Sequence, residues 1–335
     1  MNMKKFKQIK KFNHIIIVWI LLLIIGGCAS NRPDTLTMKD LRIGTKGVEI
    51  LFLPDNRDLK VFQEEQFPLN LLITNQGVAQ TKSVYVLVGF EQDYVKANYR
   101  ILNGKPLDPA NNEVTSQLTK QSLDGRSPEN LVGDSVEYEV EFESKKITLS
   151  KLQDTLVSGI LCYNYGTQFE ESVCIQPKNL AVNLQPACES KDVNVGSRGQ
   201  GAPVGVTKLE VMSSLASGAN IKTFFRIYIE NLGDGNVLND GAGSYICSAA
   251  TSDIKPAKVW GYLKLAARLG VQDLKCRAIA VENTPYYLIN LKDNKAEVVC
   301  ESTVPAGSAY ESPLLVEMVY DYTKTVTQKL IIEKI

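Results

Sequence analysis

The chain repeats itself with an offset of 156–157 residues. The segment LNLLITNQG begins at residue 69, and the similar segment FRIYIENLG begins at residue 225. Further on, Tyr-Asn-Tyr occupies residues 163–165 and Tyr-Asp-Tyr occupies residues 320–322. Two separate blocks that recur at almost the same offset indicate that the 335-residue chain contains two copies of one structural unit.

Both halves consist mostly of short segments in which apolar and polar residues alternate, as they do in strands with one buried face. Residues 258–270, whose apolar spacing fits either a strand or a helix, are assigned to a strand. Such a chain is predicted to be all-β, with two tandem antiparallel immunoglobulin-like β-sandwich domains. Strands are predicted near 47–53, 66–74, 83–91, 135–143, 156–165, 169–176, 205–213, 222–230, 259–269, 274–281, 286–291, 295–301, 313–322 and 326–334.

The first 27 residues differ from the rest of the chain. Five lysines and no acidic residue lie before an unbroken apolar run of eleven residues, 15–25. Eleven helical residues rise about 16 Å, roughly half of the ~30 Å hydrocarbon core of a bilayer. The run is therefore too short for a stable spanning helix and is typical of a signal peptide.

The sequence Ile25-Gly26-Gly27-Cys28 resembles the lipobox of bacterial lipoproteins, and similar boxes occur in some archaea. The resemblance implies that Cys28 receives a diacylglyceryl group before cleavage, and two acyl chains make a stable membrane anchor. The alternatives are an uncleaved short anchor, or a plain secretory signal with an incidental cysteine.

Six cysteines remain beyond Cys28, and an even set outside the membrane indicates disulfides. No Cys-x2-Cys spacing occurs, and the only histidine is His14, so a zinc site is not expected. The last two predicted strands of the first half are interpreted as a hairpin centred on Gln168, which places Tyr163 and Tyr165 on the core face. This register predicts a Cys162–Cys174 bond; neighbouring strands favour Cys276–Cys300, and elimination leaves Cys188–Cys247.

Composition and charge argue against several functions. The chain has 37 basic and 37 acidic residues, and removing the five lysines of the first segment leaves 32 − 37 = −5. A mildly acidic body lacks the excess positive charge that is typical of nucleic-acid-binding proteins. Because no histidine follows His14, triads and dyads that use histidine are excluded. No catalytic, cofactor-binding or metal-binding residue is assigned, and the chain is predicted not to be an enzyme.

The domain boundaries follow from these features. Residues 1–27 are assigned to the signal peptide and 28–40 to the lipidated cysteine and a tether. Residues 41–182 and 205–335 are assigned to the two sandwiches, each predicted to fold alone, with a glycine-rich linker at 183–204. The polar segment 92–134 interrupts the first sandwich and is interpreted as a disordered or functional loop.

The blocks LNLLITNQG and SVYVLVGF resemble the N-terminal strands of CARDB-like domains, which are immunoglobulin-like modules linked to cell adhesion in bacterial and archaeal surface proteins. The resemblance covers about 25 residues of the first half and implies a spacer or binding module, with no catalytic residue.

The combined features predict a non-catalytic, lipid-anchored interaction or structural protein on the extracytoplasmic face of the cell membrane. The expected partners are the membrane, through Cys28, and a protein or glycan at the cell surface. The alternative is an accessory lipoprotein subunit of an envelope assembly, such as a secretion, pilus or transport machine.

Overall fold

A computed structural model describes residues 36–54, 58–98, 114–118, 122–148, 151–176, 187–216, 220–247, 259–305 and 309–335. The segment Met38–Ile335 forms one compact unit. The predicted signal peptide, the lipobox and Cys28 lie outside the described residues. Among the helices of the described ranges, none has the length and apolar character needed to cross a membrane.

Two short α-helices, a 3-10 helix at Gly196–Arg198 and nineteen strands make up the regular structure of these ranges. The α-helices are α1 (Met38–Leu41) and α2 (Gly243–Ile246). The first-half strands are β1 (Val48–Leu53), β2 (Leu59–Phe62), β3 (Gln66–Asn75), β4 (Val84–Phe90), β5 (Val95–Asn98), β6 (Val114–Leu118), β7 (Ser135–Ser144) and β8 (Leu152–Ile175). The second-half strands are β9 (Val193–Asn194), β10 (Val204–Ala216), β11 (Asn220–Asn231), β12 (Asn236–Leu238), β13 (Tyr262–Leu269), β14 (Gln272–Asp273), β15 (Lys275–Cys276), β16 (Ile279–Ala280), β17 (Tyr287–Asn290), β18 (Lys295–Pro305) and β19 (Tyr310–Glu333).

The strands form three sheets, and the prediction of an all-β antiparallel sandwich is confirmed. A four-stranded sheet has the order β1-β3-β7-β5, and a five-stranded sheet has the order β15-β18-β11-β10-β9. The third sheet has ten strands, with the path β16-β17-β13-β19-β8-β4-β6. Of its pairings, β2 with β19 is parallel and the others are antiparallel. Buried side chains from all three sheets form one apolar core.

The hairpin predicted at the end of the first half is wrong, because these residues belong to one 24-residue strand, β8. The two strands predicted at 313–322 and 326–334 are likewise one 24-residue strand, β19. The burial of alternate residues continues in phase from Val157 to Ile175, so no residue of β8 marks a turn. Tyr163 and Tyr165 lie on the core face as predicted, because alternation fixes the face of a strand whether or not the chain later reverses.

The strands β8 and β19 pair antiparallel along their whole length. Asn164 lies opposite Asp321, and the tyrosines on either side pair across the same ladder, with Tyr163 opposite Tyr322. Since Asn164 and Asp321 are equivalent positions of the repeat, the two halves are related by a pseudo-twofold axis through this pair. The halves therefore share a sheet and a core, and the predicted division into two separate domains does not describe the packing.

The described part of the predicted linker, residues 187–204, is part of this packing rather than a flexible connection. Gln200, Ala202 and Val204 are buried, and Gln200 binds the backbone of Val206 through both ends of its amide, at 2.8 and 3.1 Å. The Gly201 carbonyl accepts a hydrogen bond from the Val78 N–H at 2.9 Å. The glycines of this segment thus allow close approach between the two halves.

A duplicated hydrogen-bond motif explains the repeated sequence block. Asn75 accepts a hydrogen bond from the Tyr165 hydroxyl at 3.2 Å, and its amide donates to a carbonyl four residues further on at 2.8 Å. Asn231 makes the same two bonds, the first from the Tyr322 hydroxyl at 3.0 Å and the second at 2.8 Å. The rings of Tyr163, Tyr165, Tyr320 and Tyr322 contact one another and form the central tyrosine cluster. Each Asn-x-Gly block therefore holds one end of this cluster.

The disulfides differ from two of the three predicted pairings. The bonds are Cys162–Cys247, Cys174–Cys188 and Cys276–Cys300, and only the last was predicted. Cys162 and Cys174 lie twelve residues apart on β8, which separates them by about 40 Å at ~3.3 Å per residue. Cys162 and Cys174 therefore cannot bond to each other. The predicted Cys188–Cys247 bond is wrong as well, because it was reached by elimination after the Cys162–Cys174 bond had been assumed.

The remaining expectations have mixed outcomes. Residues 38–40, at the end of the predicted tether, belong to the short helix α1. Within 92–134, residues 95–98 and 114–118 form β5 and β6, whereas 99–113 and 119–121 lie outside the described residues. The ambiguous segment 258–270 contains β13, so its assignment to a strand is confirmed.

Candidate functional site

A cavity of about 530 Å³ lies on one face of the ten-stranded sheet, and the tyrosine cluster lies on the other face. Four neighbouring strands, in the order β13-β19-β8-β4, each contribute a lining residue: Lys264, Asp321, Asn164 and Tyr85. The loop after β12 and the loop between β16 and β17 supply further lining residues. The cavity therefore lies over the pseudo-twofold axis, and both halves of the chain build it.

The floor of the cavity is a hydrogen-bonded cluster of polar side chains. The Asn164 amide donates to an oxygen of Asp321 at 3.3 Å and to an oxygen of Asp240 at 3.2 Å. Asp240 also accepts a hydrogen bond from the Lys264 ammonium at 2.7 Å, in a salt bridge whose side chains are about 28% exposed. The Asn164 amide bridges the two carboxylates and the Lys264 ammonium pairs with Asp240. These contacts offset the electrostatic repulsion between Asp240 and Asp321.

Asp321 is the most buried member of the cluster, with 4% of its surface exposed. Its second oxygen accepts a hydrogen bond from the Gly243 N–H at 2.7 Å. Burial raises the pKa of this carboxyl above its ordinary value, and the bonds from Gly243 and Asn164 offset part of that increase.

A small second core fixes the wall formed by α2. The Cys162–Cys247 disulfide joins the outer face of β8 to the residue that follows α2. Both cysteines are buried with Leu238, and Ile246 of α2 packs against them. The disulfide and this apolar cluster therefore hold the loop carrying Asp240 over the sheet.

Asp321→Asn is expected to stabilise the protein more at neutral pH than at acidic pH. An ordinary Asp loses its proton near pH 3.9 in the unfolded chain, but burial keeps the folded Asp321 carboxyl protonated to higher pH. The folded state then binds more protons, so its stability falls as the pH rises through this window. Asparagine removes this penalty and can still accept the Gly243 hydrogen bond. Its NH2 group then faces the Asn164 amide in place of an accepting oxygen, a cost that does not depend on pH and leaves the trend with pH unchanged.

Urea unfolding between about pH 3 and pH 7 measures the difference in unfolding free energy between variant and wild type. Asp273→Asn, on the exposed strand β14, is the charge-matched control. The expected difference for Asp321→Asn grows with pH, and a difference that stays level across the range would contradict the role of burial.

The predicted site residues contribute to this region only in part. None of the six predicted cysteines lines the cavity, but the Cys162–Cys247 bond anchors α2, whose residue Ser244 does line it. Within the ranges that the structure describes, no group of three or more His, Cys, Asp or Glu side chains is placed to hold a metal ion. Asn164 and Asp321 were not assigned as site residues, although each is the central polar residue of a repeated tyrosine block.

No protein-family model matches the chain, and no curated protein matches it significantly. Solved structures with some similarity include AvmM, which catalyses macrocyclization in alchivemycin A biosynthesis, at 14% identity and TM-score 0.22, covering 39% of this chain and 80% of that one. The C-terminal domain of the Streptococcus agalactiae AgI/II polypeptide BspA has 9% identity and TM-score 0.18, with coverages of 86% and 97%. The collagen adhesin from S. aureus has 7% identity and TM-score 0.17, with coverages of 90% and 96%. TM-scores this low do not establish a common fold, so no function follows from these names.

Proposed function

We propose that this chain is a lipid-anchored, non-catalytic binding protein on the extracytoplasmic face of the cell membrane. The observation that supports it best is the pairing of the cysteines. Six of the seven form three disulfides, and the seventh is Cys28 of the lipobox-like sequence. Disulfides persist in oxidising compartments, which supports a location of the body outside the cytoplasm. The remaining cysteine lies where a lipid would attach.

The chemistry of the cavity supports binding rather than catalysis. Its two carboxylates are engaged, Asp240 by Lys264 and Asp321 by a backbone N–H and an amide. A general acid or base needs access to the reacting proton, and a buried, hydrogen-bonded Asp321 is poorly suited to that role. The sole histidine of the chain, His14, lies within the predicted signal peptide.

The test is to express the full chain in a bacterial host that processes lipoproteins and to measure its intact mass after extraction from membranes. We expect loss of residues 1–27 and a mass increase from acyl chains on Cys28. Cys28→Ser should abolish both changes and release the protein from the membrane fraction. Ser30→Ala, two residues further on, is the matched control and should behave as wild type.

Two results would contradict the proposal. One is a wild-type protein that keeps Met1 and carries no lipid. The other is a Cys28→Ser variant that remains in the membrane fraction in wild-type amount, since an uncleaved anchor would then hold the chain. Either result would contradict the lipid anchor but would leave the description of the disulfide-bonded fold unchanged.

A further inference from the structure

We infer that the cavity over the pseudo-twofold axis binds a neutral carbohydrate, such as a hexose unit of a cell-surface glycan. The inference rests on the proposed function and names the ligand class of that binding protein. A volume of about 530 Å³ falls within the range of about 300–1,000 Å³ that small-molecule pockets occupy. The cavity is also built from residues of both halves, over strands β8 and β19, which pair along their whole length.

The charges of the lining favour a neutral ligand. The charged residues that line the cavity are two lysines, Lys82 and Lys264, and two aspartates, Asp240 and Asp321. An anionic ligand would meet the two carboxylates, and a cationic ligand would meet the two ammonium groups. Because the opposite charges balance within the site, a ligand with no net charge avoids both penalties.

The hydrogen-bonding groups of the cavity favour a ligand with several hydroxyls. A carboxylate accepts about four hydrogen bonds, so Asp321 and Asp240 keep acceptor positions beyond the bonds they make with Asn164, Gly243 and Lys264. The lysine ammonium groups are donors only. A sugar hydroxyl is both donor and acceptor, so a polyhydroxylated ring matches a site that offers both kinds of group.

Two aromatic side chains complete the chemistry of a sugar site. Tyr85 of β4 and Tyr286 of the loop before β17 both line the cavity, and each is half-buried. The C–H bonds on one face of a pyranose ring pack on an aromatic ring, while the hydroxyls around its edge reach polar groups. Tyrosine is suited to this position because it joins an apolar ring to a polar tip.

The experiment is a titration of the full-length protein, extracted in a detergent without a sugar headgroup, followed by ligand-observed NMR and by thermal shift. The probes are glucose, galactose, mannose and N-acetylglucosamine, with glucuronate as the anionic probe and glucosamine as the cationic probe. We expect at least one neutral sugar to bind with a Kd of about 1 mM. The charged sugars should bind about tenfold more weakly or worse. An oligosaccharide of the preferred sugar distinguishes a glycan end from a free monosaccharide, since a glycan site should bind the oligomer more tightly.

Variants link the binding to the cavity. Tyr286→Ala removes an aromatic wall and Asn164→Asp adds a third carboxylate, and each should weaken binding by about tenfold or more. Tyr245→Ala is the control, because Tyr245 is 61% exposed on α2 and does not line the cavity. Near-ultraviolet circular dichroism confirms that each variant is folded.

The inference is overturned if no neutral sugar, at about 50 mM, gives a binding effect in ligand-observed NMR or a thermal shift, or if a charged sugar binds best. It is also overturned if folded Tyr286→Ala and Asn164→Asp both bind as wild type. Such a failure, with Cys28 still lipidated, would leave the proposed function standing and remove only the ligand class.

Discussion

A fragment containing residues 36–182 is expected not to fold cooperatively as a monomer, although the sequence repeat alone predicts that it does. In the full chain β8 pairs along all 24 residues with β19 of the other half. The cut exposes this edge and uncovers Tyr163 and Tyr165, which are 1% exposed in the complete protein. Exposing a large buried apolar side chain costs about 1.5–3 kcal/mol. Exposing a few of them therefore costs as much as the entire free energy of unfolding of a typical protein, about 5–15 kcal/mol.

Thermal unfolding followed by circular dichroism, together with sedimentation, tests this expectation. A fragment of residues 187–335 is the reciprocal sample and should fail in the same way, because β19 loses β8. Mixing the two fragments should restore a cooperative transition. A monomeric 36–182 fragment with a sharp melt near that of the full chain would show that the halves are separate domains after all.

Gly77→Ala is expected to destabilise the protein by about 3 kcal/mol or more. A Cβ at this position would meet the Tyr165 hydroxyl, and it would lie 2.6 Å from the Gly201 carbonyl oxygen and 2.7 Å from the Lys46 carbonyl oxygen. Two of these three neighbours are backbone atoms, which move only if the segments that carry them move. The clash falls where the first half, the predicted linker and the tyrosine cluster meet, so relief at one contact disturbs another.

Gly166→Ala provides the matched control for this substitution. Gly166 also lies next to the tyrosine cluster in sequence, but a Cβ there would have only the Met318 carbonyl oxygen within 4 Å, at 3.6 Å. Its effect should lie within about 0.5 kcal/mol of zero, since the added methyl group would make only an ordinary van der Waals contact. Chemical unfolding of both variants measures the difference, and equal stability for Gly77→Ala and wild type would contradict the packing described for Gly77.

The strands, the core faces and the repeat could be predicted because they depend on local pattern. Alternation placed Tyr163 and Tyr165 inside, and the ambiguous segment 258–270 was correctly assigned to a strand. The same alternation could not show whether β8 turned back on itself, because a hairpin and a long straight strand bury the same set of alternate residues. That ambiguity produced the wrong Cys162–Cys174 pairing, since the bond required the hairpin.

The candidate site was beyond sequence reasoning for a related reason. Asn164 and Asp321 are 157 positions apart, and Lys264 and Tyr85 belong to two further strands whose neighbours the sequence does not specify. Only the order of strands in the ten-stranded sheet brings the four side chains to one cavity. Residue type and periodicity by themselves determined the class of fold, the buried faces and the doubling of the unit. Strand order, the partners of Cys162 and Cys174, and the cavity were decided by the tertiary structure, because they depend on contacts between distant residues that no local period encodes.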